Sequence, residues 1–234
     1  MQTAPSVEAK AGSEHATYLV ADDHPLFLDY FSDLLAAVAP DRRIAKARSF
    51  ESLVARLSGD ATIDLAFIDL SMPDVRGLFG LLYLTARFPR IRFVVVSGRS
   101  GHRTIEACLA LGAHAFIAKS LEEDDVIEAV LAVARGEVWP TSATARPSAF
   151  DEEEVRLLQG IGSLTPQEVR AYTLLCEGRV DKEIARALKV APSTAKAHVA
   201  AILSKLGVFT RTQAVIAAFR LGVEEEVEPP LALA

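Results

Sequence analysis

From Thr17 to about Ala134, short runs of Val, Ile, Leu and Phe alternate with stretches whose apolar residues recur every three or four positions. The apolar runs predict strands over 17–21, 43–48, 64–68, 92–97 and 114–118. The helical period predicts helices over 25–38, 50–58, 78–87, 102–111 and 122–134. Regular alternation of strand and helix implies parallel pairing through right-handed crossovers. Ser49 before Glu51-Ser52 reads as the start of the second helix, and Ser120 before Glu122-Glu123 as the start of the fifth. The pattern breaks after Gly136. Trp139-Pro140, Arg146-Pro147-Ser148 and Gly160-Ile161-Gly162-Ser163 punctuate a linker with one short acidic helix expected at 151–159. Residues 164–222 are again helical, in four segments interrupted at Gly178, Val190-Ala191-Pro192 and Gly207. The expected organisation is a disordered N-terminus at 1–15, an α/β domain at 16–135, a linker at 136–162, a helical domain at 163–222 and an acidic tail at 223–234.

Charge sharpens this division. The net charge of −6 looks wrong for a nucleic-acid binder until it is split. Residues 14–134 carry 12 basic and 17 acidic side chains, whereas residues 163–222 carry 9 basic and 4 acidic. Glu224-Glu225-Glu226 and Glu228 make the tail acidic. A basic module joined to an acidic domain points to nucleic-acid binding coupled to another activity. No apolar run approaches the roughly 20 residues that span a bilayer, and the N-terminus lacks the basic-then-apolar pattern of a signal peptide. A cytoplasmic protein without a membrane partner is expected. Cys108 and Cys176 lie far apart in helix-like segments and read as packing residues. His15, His102 and His114 read as surface residues, and Gly101 and Gly112 as helix punctuation.

The candidate chemistry sits at strand ends. The first strand runs into Asp22-Asp23, the third into Asp69, the fourth into Ser97-Gly98 and the fifth into Lys119. In an open parallel sheet the carboxyl ends share one edge, where sites form. Asp22, Asp23 and Asp69 together suit one Mg²⁺, because hard cations take oxygen ligands. One carboxylate can then attack a phosphoryl donor in line, with Lys119 neutralising charge on the transferring group and Ser97 donating to one of its oxygens. Met72-Pro73 and Gly77 shape the loop after Asp69, and Gly98 leaves room for the group to enter.

The set Asp22-Asp23, Asp69-Leu70-Ser71-Met72-Pro73, Gly77, Ser97 and Lys119 resembles the receiver domain of two-component response regulators. Asp22-Asp23-His24-Pro25-Leu26-Phe27 and Arg135-Gly136-Glu137-Val138-Trp139 are similar to the NarL/LuxR (FixJ-type) branch. The resemblance implies a flavodoxin-like (βα)5 receiver in which Asp69 accepts a phosphoryl group from a histidine kinase. It implies that Asp22, Asp23, Asp69 and the backbone of Ser71 hold Mg²⁺, and that Ser97 and Phe116 form the switch pair. Phe116 stands where the family commonly has Tyr and lacks its hydroxyl. Such a receiver is not an enzyme beyond its own phosphorylation and slow dephosphorylation. Haloacid-dehalogenase-type phosphatases also place an aspartate nucleophile after a strand, but they need a second acid at the position of Ser71.

In the helical domain, Thr165-Pro166-Gln167-Glu168 is a complete helix start. The first helix, 166–176, partly buries Val169, Tyr172, Thr173 and Cys176. Asp181 is expected to cap the helix Lys182–Leu188, and a tight turn at 189–192 leads into a helix from Ser193 to Leu206. Two short helices joined by such a turn match the motif that docks its second helix in a major groove. The matching pieces Leu164–Glu168, Lys182–Ala185, Thr194–His198, Lys205–Val208 and Arg211–Val215 resemble the LuxR-type helix-turn-helix domain, an all-α four-helix fold. The resemblance implies that Lys196, Ala197 and Ala200 face bases and that Lys182, Thr194 and His198 lie near phosphates. It also implies that the last helix, about 211–221, dimerises. Glu168 and Arg211 are read as a structural ion pair. Val180 and Ala191 replace usual hydroxyl residues, and Ala197 and Ala200 offer only methyl contact, so base readout is expected to be sparse. The whole reads as a DNA-binding response regulator whose phosphorylation controls dimerisation and binding of a transcription factor to double-stranded DNA. The rival reading is a receiver that regulates a protein partner through a helical domain that does not bind DNA specifically.

Overall fold

The computed structural model describes residues 16–72, 77–98, 100–140 and 149–221. The expected disorder at 1–15, with His15, the central linker at 141–148, Pro73 and the acidic tail at 223–234 lie outside the described residues.

Five parallel strands, β1 (Thr17–Ala21), β2 (Arg43–Ala47), β3 (Ile63–Ile68), β4 (Arg92–Ser97) and β5 (Ala115–Ala118), form one sheet in the order β2-β1-β3-β4-β5. Five helices alternate with them: α1 (Pro25–Val38), α2 (Phe50–Gly59), α3 (Leu78–Arg87), α4 (His102–Ala110) and α5 (Glu123–Ala134). Strand order reverses around β1 and β3, and at such a point the loops from neighbouring strands splay apart and leave a crevice. The central strands are apolar on both sides because helices cover both faces. One face carries Leu19, Ala66, Phe93 and Phe116 into a core beneath α2, α3 and α4. The other carries Tyr18, Phe67, Val94 and Ile117 beneath α1 and α5.

Ser49 caps α2, its hydroxyl accepting from the Ser52 amide at 3.2 Å. Ser120 does not cap α5. The helix begins at Glu123 with Glu122 as an N-cap that makes no side-chain bond, and three acids in the first turn face the positive end of the helix dipole instead.

The second domain contains α7 (Pro166–Cys176), α8 (Asp181–Leu188), α9 (Pro192–Leu206) and α10 (Arg211–Arg220), preceded by α6 (Glu152–Gly162), which runs three residues past the expected acidic helix. Asp181 is not a cap either. It is the first residue of α8, after an N-cap at Val180 whose amide donates to Glu183 Oε2 at 3.0 Å. The expected Glu168–Arg211 pair does not form. Glu168 accepts from Lys205 Nζ at 2.6 Å, and Arg211 is bonded to Asp181. Both acids thus tie the start of their own helix to a later one, which a sequence pattern cannot resolve between two basic candidates.

The two domains pack together. Phe79 of α3 meets Tyr172 of α7 edge to face, with centroids 5.2 Å apart, and both side chains are buried. Tyr172 places its hydroxyl 2.7 Å from the Ala214 carbonyl, so its polar end is satisfied. A charged cluster joins α4 to α6 and α10. Arg103 donates to Glu154 Oε1 at 2.8 Å and to the Arg220 carbonyl at 2.9 Å, and its guanidinium lies 4.1 Å from the Phe150 ring centroid. Arg220 in turn reaches Glu154, Glu153 and Asp151 at 2.7–3.0 Å. At Gly160 of α6 a Cβ would collide with the Lys205 carbonyl of α9, so glycine permits the close approach of these helices.

Candidate functional site

The strand ends bring four of the expected residues together. Asp22 and Asp69 follow β1 and β3 and are each 1% exposed. Lys119 follows β5, and its amide donates to the Ser97 carbonyl at 2.8 Å, which fixes the ends of β4 and β5 to each other. The Lys119 ammonium lies 2.7 Å from Asp22 Oδ2 and 2.8 Å from Asp69 Oδ2. Burial alone would push the Lys119 pKa down, but bonds to Asp22 and Asp69 and their charges outweigh it and hold it above the usual lysine value. Asp69 Oδ1 accepts from the Ser71 amide at 2.9 Å, which orients the carboxylate. Gly77 adopts φ 57° and ψ −131°, a backbone region costly for any side chain, and so closes the loop into α3.

Among the described residues, three carboxylates against one ammonium leave excess negative charge in the crevice. Asp22 Oδ2 and Asp23 Oδ1 are buried oxygens, met by the Lys119 ammonium at 2.7 Å and by the His24 ring nitrogen at 3.0 Å. Carboxylate oxygens of Asp22, Asp23 and Asp69 and a His24 ring nitrogen all lie within 4.8 Å of one another. Converging hard oxygens are a donor set that fits a divalent cation.

Ser97 ends β4 at 3% exposure, and Gly98 beyond it faces open space. Phe116 is 2% exposed, packed in the core on the α2–α4 side. Sequence reasoning missed one neighbour of this pocket, the Phe27 ring, which lies 4.4 Å from Lys119 Nζ, and away from the pocket it missed the Arg103 cluster that ties α4 to α6.

In the second domain, Ala195, Val199, Ile202 and Leu206 bury one side of α9. Thr194, Lys196, Ala197 and Ala200 are exposed on the other side, with His198 partly so, and Lys182 is exposed at the start of α8. Arg186 and Lys189 extend this exposed basic surface. The turn is closed by Lys189 in the left-handed conformation, φ 56° and ψ 45°. The receiver packs on α6 and α7, which leaves the outer face of α9 open. Among the described residues, no single helix is long and apolar enough to cross a membrane.

Comparison with known proteins matches both halves. Residues 18–131 match the response regulator receiver domain, and residues 162–218 match the luxR family of bacterial regulatory proteins. The glycerol metabolism activator of Pseudomonas putida is 30% identical over 209 residues, covering 86% of this chain and 93% of the relative. The nitrate/nitrite response regulator protein NarL of Escherichia coli K12 is 29% identical, covering 88% and 96%. Among solved structures, Salmonella typhimurium RcsB superposes with a TM-score of 0.52 at 21% identity, over 89% of this chain and 100% of that one. The RcsB–DNA complex gives 0.51 at 22% identity, over 88% and 98%. With its strand-end acid pocket and its four-helix second domain, the chain belongs to the response regulators that join a receiver to a LuxR-type DNA-binding domain.

Proposed function

We propose that Asp69 is the phosphoryl acceptor of this regulator, that Asp22, Asp23 and Asp69 with the Ser71 backbone hold Mg²⁺, and that phosphorylation controls a dimeric, DNA-binding transcription factor. The observation that carries this reading is a single ammonium, Lys119, held between two buried carboxylates at the switch point of the sheet. A bound Mg²⁺ supplies positive charge that lowers the cost of bringing an anionic donor to a carboxylate.

An Asp69 oxygen forms a bond to phosphorus while the bond from phosphorus to the donor breaks, and the electron pair leaves with the donor. From a phosphohistidine of a histidine kinase, that pair returns to the imidazole nitrogen. Lys119 stabilises charge on the transferring oxygens. The Ser97 hydroxyl then donates to the new phosphoryl group, and Phe116 follows into the space vacated. The chain thereby catalyses only its own phosphorylation and slow dephosphorylation, in the cytoplasm.

The exposed basic surface of α8 and α9 supports DNA as the output partner. On α10, Ile216 and Phe219 are 57% and 48% exposed, an apolar stripe that supports a homodimer. Two copies would place their α9 helices on half-sites about one helical turn apart. The test is phosphoryl uptake from acetyl phosphate, followed by intact mass. Wild type gains one phosphoryl group and Asp69→Asn gains none; equal uptake by both removes Asp69 from the role.

A further inference from the structure

Lys119 has three N–H donors, and the two carboxylates account for two directions of approach. On another side lies the face of Phe27, its centroid 4.4 Å from Nζ, within the range of a cation–π interaction. The ring is held in place. Phe27 and Phe31 lie one helical turn apart on α1 and stack at 5.6 Å with planes 15° apart. Phe31, 1% exposed, meets Phe67 of β3 edge to face at 5.2 Å, and Phe67 meets Tyr18 of β1 at 6.0 Å. Tyr30 adds a tilted contact to Phe27 at 6.3 Å and ties α1 to α5 through Glu123. A continuous aromatic column therefore runs from the sheet to the pocket lysine.

The column matters because the carboxylate contacts of Lys119 change during the reaction. A divalent cation among Asp22, Asp23 and Asp69 competes with the ammonium for the same oxygens, and phosphoryl transfer consumes an oxygen of Asp69. The ring of Phe27 is uncharged and is no ligand, so neither event draws on it. Resting on the reading of Asp69 as acceptor, we infer that Phe27 is a positioning residue: its ring face holds the Lys119 ammonium over the pocket while the carboxylates are engaged elsewhere.

Mono-, di- and trifluorinated phenylalanines at position 27 of the full chain test this. They preserve shape while progressively weakening the negative face of the ring. Two readouts are followed: the rate of phosphorylation by acetyl phosphate with Mg²⁺, and the intensity of the Overhauser contact between the ring at position 27 and the Lys119 side chain by NMR. The expected result is a stepwise fall of both along the series, the rate dropping about threefold to tenfold by the trifluorinated ring, on the scale of one cation–π contact. A rate independent of fluorination overturns the proposal, even if Phe27→Leu is slow, because that variant also breaks the stack on Phe31. The acceptor reading fails separately, by phosphoryl uptake in an Asp69→Asn control.

Discussion

Individual side chains here derive their properties from what faces them. Glu154 is 7% exposed, and the Arg103 guanidinium beside it holds its carboxyl at about 2, well below the ordinary glutamate value of 4.5. A carboxyl depressed by folding stabilises the native state above its unfolded pKa, and that contribution is lost as pH falls through the folded value. The stability difference between wild type and Glu154→Gln is therefore expected to be constant above about pH 4.5 and to shrink toward pH 2, measured by urea titration at each pH. A difference that does not change with pH would mean that Glu154 is held by packing alone. Burial pushes the Cys108 thiol up to about 12, so it should resist alkylation at pH 8 until the protein unfolds. The pocket acids were legible in sequence because each follows an apolar strand, and a parallel sheet gathers such ends. Phe27 and Arg103 were not. Their partners lie far along the chain, and only the packing of α1 against β5 and of α4 against α6 brings them together.

Elements behave as the hydrophobic period dictates, and their ends follow local rules less faithfully. All ten strands and helices of the receiver stand within a residue or so of where apolar periodicity puts them. The caps expected at Ser120 and Asp181 fail because a dipole-facing acid run and a Glu183 side chain do that work instead. The region read as a linker holds the element with the most telling contacts. Helix α6 touches α4 through the Arg103–Glu154 pair, and Glu106 of α4 accepts at 2.6 Å from the amide of Ala149, just before α6. The same helix presses on α9 at Gly160 and Lys205. Gly160→Ala is expected to cost about 1–3 kcal/mol, the range for forcing extra volume into a packed contact, read as a lowered denaturation midpoint. No loss would mean that α6 and α9 separate freely. Arg103→Ala should leave the phosphoryl pocket intact and raise amide exchange across 152–162; unchanged protection would show that Phe79 and Tyr172 hold the domains without it.

At the scale of the whole molecule, a receiver packed on α6 and α7 leaves the exposed side of α9 open. In this arrangement a phosphoryl gate has no recognition surface to uncover. On the function proposed above, control acts through the α4–α6 contact and through pairing of two chains, rather than by uncovering α9. Lys182→Ala is expected to reduce the salt dependence of DNA binding by about one counterion, while Lys196→Ala should relax sequence preference. The reverse pattern would exchange their roles. The measurement that bears most directly on the central claim is capture of genomic DNA fragments by the full chain with Mg²⁺, with and without beryllofluoride. Selective enrichment of a shared inverted repeat in the beryllofluoride arm is the predicted result, and its absence from Asp69→Asn would complete it. Equal enrichment in both arms, or none in either, would contradict phosphorylation-gated DNA binding.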